Sequence, residues 1–429
     1  MLTRADKPPY RVPSMAEVAA VPWNGFKVCS TFAGCGGSSL GYRMAGFRVL
    51  WANEFVAAAR EVYECNARPG TIVDGRDVRD VKPEEVLAAI GLRAGELDVL
   101  DGSPPCASFS TAGKRARHWG KVKKYSDTAQ RTDDLFFEFA RMLDGIKPRV
   151  FVAENVSGLA KGVAKGYFLE ILRELKRRGY RVRSRMLDAQ WLGVPQTRQR
   201  LIFFGVREDL DAEPLFPAPL PYRYSVREAI PWITSARHDA KGWPNFTVGD
   251  ITDRPAPAIT AGSHGANNQH FKVTQSDRYD SEVDILDRPA LTIRACMTSA
   301  PRVEAPDISR FAIGEEARKL APGEQSERYF SLQRANPEQP SPTILAQHGG
   351  ETIASVVHPT EPRKFTIEEL KRVCAFPDDF ELTGTYAQQW ERLGRAVPPL
   401  MMRAVAEQVR AVLEAIDVRD ARRDATTRR

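Results

Sequence analysis

A doubly wound, Rossmann-like α/β sheet with a second, smaller, irregular β-rich lobe is the fold class this sequence predicts. Two observations predict the sheet. Short continuous apolar runs recur from residue 26 onward, as parallel strands covered on both faces do. Segments of helical period fill the gaps between them. A third observation predicts the lobe: from residue 213 to 360 the chain turns rich in Pro, Gly, Ser, Thr, Asn and His, with few helical periods. The expected organisation is an extension at 1–25, a sheet domain at 26–212, the lobe at 213–358, a return to the sheet domain at 359–416 and a charged tail at 417–429.

The strands expected in order are Phe26–Phe32, Val49–Ala52, Leu97–Leu100, Val150–Ala153 and Leu201–Val206. Thr132 or Asp133 can cap a helix whose Leu135, Phe136, Phe139, Met142 and Leu143 share a face. A second helix is expected from Tyr167 to Arg178, ended by Gly179. Within the lobe a phrase recurs, as DRPAPAITA at 253–261, DRPALTIRA at 287–295 and QPSPTILA at 339–346. Its uneven spacing argues for three turn–strand units and against a solenoid. Helices return at Thr366–Ala375 and Pro399–Ile416, and the tail is expected to be frayed and solvated.

At 429 residues the chain can bury a large core and a second lobe. It has no apolar run of membrane-spanning length, and its N-terminus lacks the apolar centre of a secretory signal. Six cysteines, at 29, 35, 65, 106, 296 and 374, form no CxxC pair, which argues for a reducing compartment and against a structural metal site. The net charge of +7 leans weakly towards a polyanionic partner.

The chemistry gathers at strand ends, where ligands bind in such sheets. Gly34, Gly36 and Gly37 form a tight turn between the first strand and a helix, and Glu54 ends the next strand where a ribose-binding carboxylate would sit. The turn lacks GK[ST], so it is not a phosphate-cradling P-loop; by itself it leaves a dinucleotide, S-adenosylmethionine or a merely structural turn open. Asp101-Gly-Ser-Pro-Pro-Cys follows the third strand and puts Cys106, stiffened by two prolines, at its carboxyl end. Glu154 ends the fourth strand, and Gln196-Thr-Arg-Gln-Arg brings Arg198 and Arg200 to the same edge. A thiol, a carboxylate and paired guanidinium groups behind a glycine turn are hard to read as scaffold alone.

In this combination and order the motifs resemble the DNA cytosine-C5 methyltransferases, over residues 26–207 and 360–412. FAGCGG resembles the family's cofactor loop, Asn53-Glu54 its ribose-binding acid and Asp77-Val78 its adenine edge. SPPCASFS resembles the nucleophile loop, ENV the glutamate strand, QTRQR the arginine motif, TIEELKRVCAFPDDF the helix before the last motif, and GRAVPP the closing motif. The resemblance implies a class I, S-adenosylmethionine-dependent methyltransferase sheet and a target-recognition lobe. It implies double-stranded DNA as partner, a monomer, no metal, and a cytoplasmic, bacterial or phage setting.

It further implies that Cys106 adds to C6 of a flipped cytosine, that Glu154 contacts N3, and that Arg198 and Arg200 bind the base carbonyl and a nearby phosphate. Phe32, Gly34, Gly36, Gly37, Leu40, Glu54, Asp77, Val78, Pro104, Arg395 and Val397 would hold the cofactor. Ser110 and the basic stretch with Lys114, Arg115, Arg117, Lys121, Lys123 and Lys124, interleaved with Trp119 and Tyr125, would meet DNA. Base readers are sought among Arg237, His238, His264, Asn267, Asn268 and Arg294.

The closing motif departs from the family at Arg395, where asparagine is usual. A guanidinium near a sulfonium calls for an offsetting anion. It could be a DNA phosphate, a protein carboxylate, or a carboxylate on the transferred group, the last implying carboxy-S-adenosylmethionine and 5-carboxymethylcytosine. An RNA cytosine-C5 methyltransferase, a catalytically silent DNA-binding relative and a nicotinamide-dependent oxidoreductase are the remaining alternatives. The large lobe disfavours the first, the intact Cys106, Glu154 and Arg198 the second, and PPC, ENV and QTRQR together the third.

Overall fold

The computed structural model describes residues 7–105, 134–160, 165–233 and 304–427, together with the backbone of two short strands at 123–125 and 128–130. The central sheet is built from β1 (Lys27–Thr31), β2 (Arg48–Asn53), β3 (Ile72–Asp74), β4 (Val99–Gly102), β7 (Val150–Val156), β8 (Tyr180–Asp188) and β9 (Gln199–Arg207), in the order β3-β2-β1-β4-β7-β9-β8. The short strands β5 (Lys123–Tyr125) and β6 (Thr128–Gln130) form a separate antiparallel hairpin in the basic stretch.

Alternation along each strand sends successive side chains into two cores. Val28, Val150, Val152, Ile202 and Phe204 enter one, which α2 (Gly37–Met44) and α11 (Pro399–Thr427) cover with Tyr42, Met401, Met402, Val405 and Val409. Cys29, Phe151, Ala153, Leu201 and Phe203 enter the other, beneath α4 (Pro83–Ala89), α5 (Leu135–Ile146) and α6 (Lys165–Arg177). The remaining helices are α1 (Met15–Ala20), α3 (Ala57–Asn66), α7 (Val226–Ala229), α8 (Ala312–Lys319), α9 (Ile367–Val373) and α10 (Tyr386–Arg395), and two-residue strands β10 (Gln333–Arg334) and β11 (Val356–Val357) pair in parallel.

The sheet differs from the expected parallel one at its far edge. β1, β2, β3, β4 and β7 are parallel, whereas β9 runs antiparallel to both β7 and β8. A strand buried on both faces reads as the same apolar run in either direction, so the run at 201–206 says nothing about polarity. Two strands escaped the apolar-run criterion. β3 is three residues long and partly exposed, and β8 alternates Tyr180, Val182 and Met186 with arginines because one face of this edge strand meets solvent.

The C-terminal helix runs on to Thr427, through the tail expected to fray. Arg419 Nη1 donates to the Asp211 carbonyl at 2.9 Å and Arg149 pairs with Asp417, so the first turn of the tail is anchored, while Val418 stays exposed. The third recurrent phrase forms no regular strand. Ser341 makes a single bridge to Gln196, and Ile344 enters a core with Leu40, Phe376 and Trp390.

Contacts divide the chain into a unit of residues 1–245 with 303–429 and a unit of 246–302, the latter wholly outside the described residues. Both flanks of the expected 213–358 lobe therefore share cores with the larger unit, through Val226, Ile230 and Ile233 on one side and Ala335, Ile344 and Val356 on the other. The phrases at 253–261 and 287–295 lie outside the described residues.

Candidate active site

The glycine turn is shaped by backbone conformations that few residues adopt. Phe32 has φ +53°, Gly34 +56° and Gly36 +94°, and Gly36 is the N-cap of α2. The turn is anchored to β2, since Ala33 N–H donates to the Asn53 carbonyl at 2.9 Å and Gly34 N–H donates to Glu54 Oε2 at 2.7 Å. Glu54 Oε1 accepts from Val56 N–H at 2.7 Å. Each carboxylate oxygen thus keeps a lone pair for another donor. Burial raises the Glu54 pKa against the pull of these amides.

A Cβ on Gly37 would lie 2.2 Å from the Val397 carbonyl oxygen, so the closing motif lies against the turn at a spacing that leaves room for glycine alone. Val397 is itself buried. The turn, Glu54 and Val397 thus come together as expected. Leu40 does not join them; its side chain lies in the core with Phe376 and Trp390. Asp77 caps the 3₁₀ turn Val78–Asp80 by accepting from Arg79 N–H and pairs with Arg79 at 2.9 Å, beside the buried Val78. Arg79 in turn reaches Asp134 at 2.6 Å.

At the end of β4, Ser103 N–H donates to the Thr31 carbonyl and Pro104 O accepts from Asn155 Nδ2 at 3.2 Å. Asn155 Oδ1 in turn accepts from Val156 N–H at 2.8 Å, which fixes the amide. β7 therefore holds the root of the segment that leads to Cys106 with the residue that follows Glu154. Cys106, Ser110, Lys114, Arg115, Arg117, Trp119 and Lys121 lie outside the described residues, as do Arg237, His238, His264, Asn267, Asn268 and Arg294. Lys123, Lys124 and Tyr125 lie on β5, whose backbone alone is described.

The two arginines of QTRQR part company. Arg200 Nε lies 2.5 Å from Glu154 Oε1. Burial lowers the Arg200 pKa and the neighbouring Glu154 opposes that shift. Arg198 is 1% exposed and spends its Nη donors on carbonyl oxygens, those of Gly394 and Ala396 at 3.0 and 2.9 Å and those of Ile344 and Arg395 at 3.3 Å, while its Nε is buried without a hydrogen-bond partner. Burial and the adjacent Arg200 push its pKa down to about 9. Arg198, expected at the base or a phosphate, instead clamps the closing motif onto the segment that leads out of the lobe. Thr197 N–H adds to the clamp by donating to the Ser341 carbonyl at 2.8 Å.

Arg395 meets the protein-carboxylate option. Its Nε and Nη2 lie 2.8 and 2.7 Å from Glu391 Oε1, one turn earlier on α10. The carboxylate called for opposite this guanidinium is thus supplied by the chain, which removes the reason for a carboxylated donor.

Sequence reasoning also passed over Asp101, Asn155 and Lys364. Asp101 is 1% exposed, and its Oδ2 accepts from Ser30 Oγ at 2.9 Å and Ser38 Oγ at 2.7 Å. Its signal was available, because an acid inside the apolar run LDVLDG is out of place in a buried strand. Lys364 is fully buried and donates to the carbonyls of His348, Gly350 and Ile353, with Trp390 beneath its ammonium.

Among the described residues no cluster of His, Cys, Asp and Glu has the makings of a metal site, and no helix is long and apolar enough to cross a membrane.

A family model described as C-5 cytosine-specific DNA methylase matches residues 26–411. The Type II methyltransferase M.NgoFVII of Neisseria gonorrhoeae is 28% identical, over 90% of this chain and 86% of its own length. The Type II methyltransferase M1.HphI of Haemophilus parahaemolyticus is 29% identical over 88% and 85%. Among solved structures, a putative DNA modification methyltransferase encoded within an E. coli prophage has a TM-score of 0.60 at 19% identity, covering 91% of this chain and all of its own. A DNMT2 variant from Spodoptera frugiperda has a TM-score of 0.54 at 14% identity, covering 90% and 99%. At such identities these two structures speak for the fold.

Proposed function

The chain belongs to the C-5 cytosine-specific DNA methylases, and from that premise we propose that it moves a methyl group from S-adenosylmethionine to C5 of a flipped cytosine in double-stranded DNA, with Cys106 as nucleophile. One observation carries the site assignment. The Glu154–Arg200 pair stands at the end of β7 beside Asn155, which holds Pro104, two residues before Cys106.

Residues present fit the donor. The turn at 32–37 brings its backbone close to the foot of α2, Glu54 retains acceptor capacity for ribose hydroxyls, and Asp77 and Val78 would flank the adenine edge. Phe32 would border the ring, and Pro104 and Val397 would close the site. Bound S-adenosylmethionine supplies an electrophilic methyl group.

Cytosine C5 is a poor nucleophile until the Cys106 thiolate adds to C6 and an electron pair is delivered to C5. Glu154 contacts N3, so that negative charge does not build up on the ring, and Arg200 orients Glu154 while reaching for the base carbonyl. C5 then takes the methyl group, leaving S-adenosylhomocysteine, and loss of the C5 proton to water restores the ring as the C6–sulfur bond breaks and frees Cys106. Flipping takes the base out of the stack at a cost of about a few kcal/mol.

The residues at 213–358 are assigned to target recognition, with Arg237, Asn267 and Arg294 as base readers, and Ser110, Lys114, Arg115, Lys121, Lys123 and Lys124 to the DNA backbone. The Type II relatives favour a modification role for the product, in the cytoplasm of a bacterial or phage-bearing host.

DNA carrying 5-fluorocytosine tests the nucleophile, since fluorine cannot leave C5 as a proton does. Wild-type protein with S-adenosylmethionine should form a denaturation-resistant adduct. Cys106→Ser should form none while retaining noncovalent DNA binding. An adduct of equal yield in the variant would remove Cys106 from the mechanism.

A further inference from the structure

Among the described residues, buried carboxylates are answered by cations or amides, with one exception. Glu154 has Arg200, Glu369 has Arg363 at 2.7 Å, Asp98 has Arg149 and the Lys27 amide, and Glu54 has two backbone amides. Asp101 has two serine hydroxyls on Oδ2, while its buried Oδ1 has no partner and, among the described residues, no cation forms an ion pair with it. A buried carboxylate left so is unfavourable unless something positive completes it.

Its place says what that something is. Ser30 and Ser38 flank the glycine turn on its two sides, at the end of β1 and in the first turn of α2. Asp101 therefore joins both stems of the cofactor loop from beneath, on the strand that leads to Cys106. The groups around it are Ser30 on β1, Ser38 and Tyr42 on α2, Tyr63 on α3 and Glu154 on β7; the Tyr42 hydroxyl is likewise buried without a partner. None of these is a cation. Burial, with Glu154 adding to it, pushes the Asp101 carboxyl up to about 7 against the pull of the two serines.

We propose that Asp101 makes the cofactor site prefer the positively charged methyl donor to its neutral demethylated product. S-adenosylmethionine and S-adenosylhomocysteine share an ammonium and a carboxylate, so those contributions cancel in a comparison of the two. What remains is the sulfonium charge, and Asp101 is the buried anion under the loop with charge to spare. The inference rests on the reading of S-adenosylmethionine as donor. By weakening the hold on the spent product, the carboxylate would favour exchange after each transfer.

Calorimetric titration of full-length wild-type and Asp101→Asn protein with each ligand, without DNA, tests it. Asparagine keeps the shape and an oxygen for Ser30 and Ser38. The ratio of the Kd for S-adenosylhomocysteine to that for S-adenosylmethionine should fall about tenfold in the variant, the size expected of a unit charge across several ångströms of protein. In wild type the same ratio should fall between pH 8.5 and pH 6, as the carboxylate takes its proton, and in the variant it should stay flat. Ser38→Ala should shift both ligands together.

A variant that weakens both ligands alike, or a wild-type ratio flat across that pH range, would overturn the proposal. Should Asp101→Asn not fold, the wild-type pH series decides alone. If wild type binds neither ligand, it is the donor assignment that fails.

Discussion

Two buried anions at the glycine turn, Glu54 and Asp101, and three buried cations in or against the C-terminal return, Arg198, Arg334 and Lys364, are stabilised in opposite degrees. Glu54 and Asp101 are met by amides and hydroxyls, with acceptor capacity left over. Arg198, Arg334 and Lys364 are met by carbonyl oxygens from several segments at once, among them those of Gly394, Ala396, Pro359, Leu320, Gly350 and Ile353. A carbonyl carries partial negative charge whatever ligand is present, so these cations find most of their partners within the chain, with the buried Arg198 Nε left over. The comparison separates two uses of buried charge. The return employs it to fix irregular backbone, and the turn keeps it for a ligand.

The largest effect expected from this contrast is on stability. Lys364→Met keeps the stem of the side chain but leaves one buried and two part-buried carbonyls without their donor, a loss of roughly 3 kcal/mol. Arg198→Met should act alike through the carbonyls of 344 and 394–396. Urea unfolding of the full chain measures both. A loss under about 1 kcal/mol in either would mean that the carbonyls find other partners and that the return is not held by its cations.

The two arginines two residues apart allow a sharper test. Arg200→Ala removes the partner of Glu154 and should lower the single-turnover methylation rate by about 10²-fold, well beyond what the accompanying fall in Tm from an unpaired Glu154 accounts for. Arg198 variants should show the reverse weighting, a fall in Tm with activity tracking the folded fraction. If both arginines behaved as Arg200 does, Arg198 would return to the base or phosphate role that the motif suggests.

That pair also shows how far the sequence could be read. QTRQR located both arginines at the active edge, since strand ends and motif order are local properties. It could not divide their roles, because the carbonyls that occupy Arg198 lie about 150 and 200 residues downstream. The same holds for Gly37, whose need for glycine comes from Val397. β9 was found as a strand while its direction was not, since an apolar run of period-independent burial carries no polarity. Asp101 was legible in its own strand as an acid where none belongs, but its partners, Ser30 and Ser38, are some seventy and sixty residues away. What one strand or turn determines could be read. What two distant segments determine together could not.

The smallest effect belongs to Arg395, which lies between the two regions at the end of α10. Its guanidinium pairs with Glu391 at one-turn spacing and is one-third exposed. A pair of that kind contributes about 0.3–0.5 kcal/mol once solvent screening is allowed for. A cation in the last turn also suits the helix dipole, by a similar amount. Arg395→Asn should therefore lower stability by less than about 1 kcal/mol and leave 5-methylcytosine as the product, whether S-adenosylmethionine is offered alone or with its carboxylated analogue. Nucleoside mass spectrometry reads the product and denaturant unfolding the stability. A tenfold change in donor use in Arg395→Asn, with stability unmoved, would show that this cation is kept for a ligand after all, and the division between ligand-facing anions and scaffold-bound cations would fail at the place where the two regions meet.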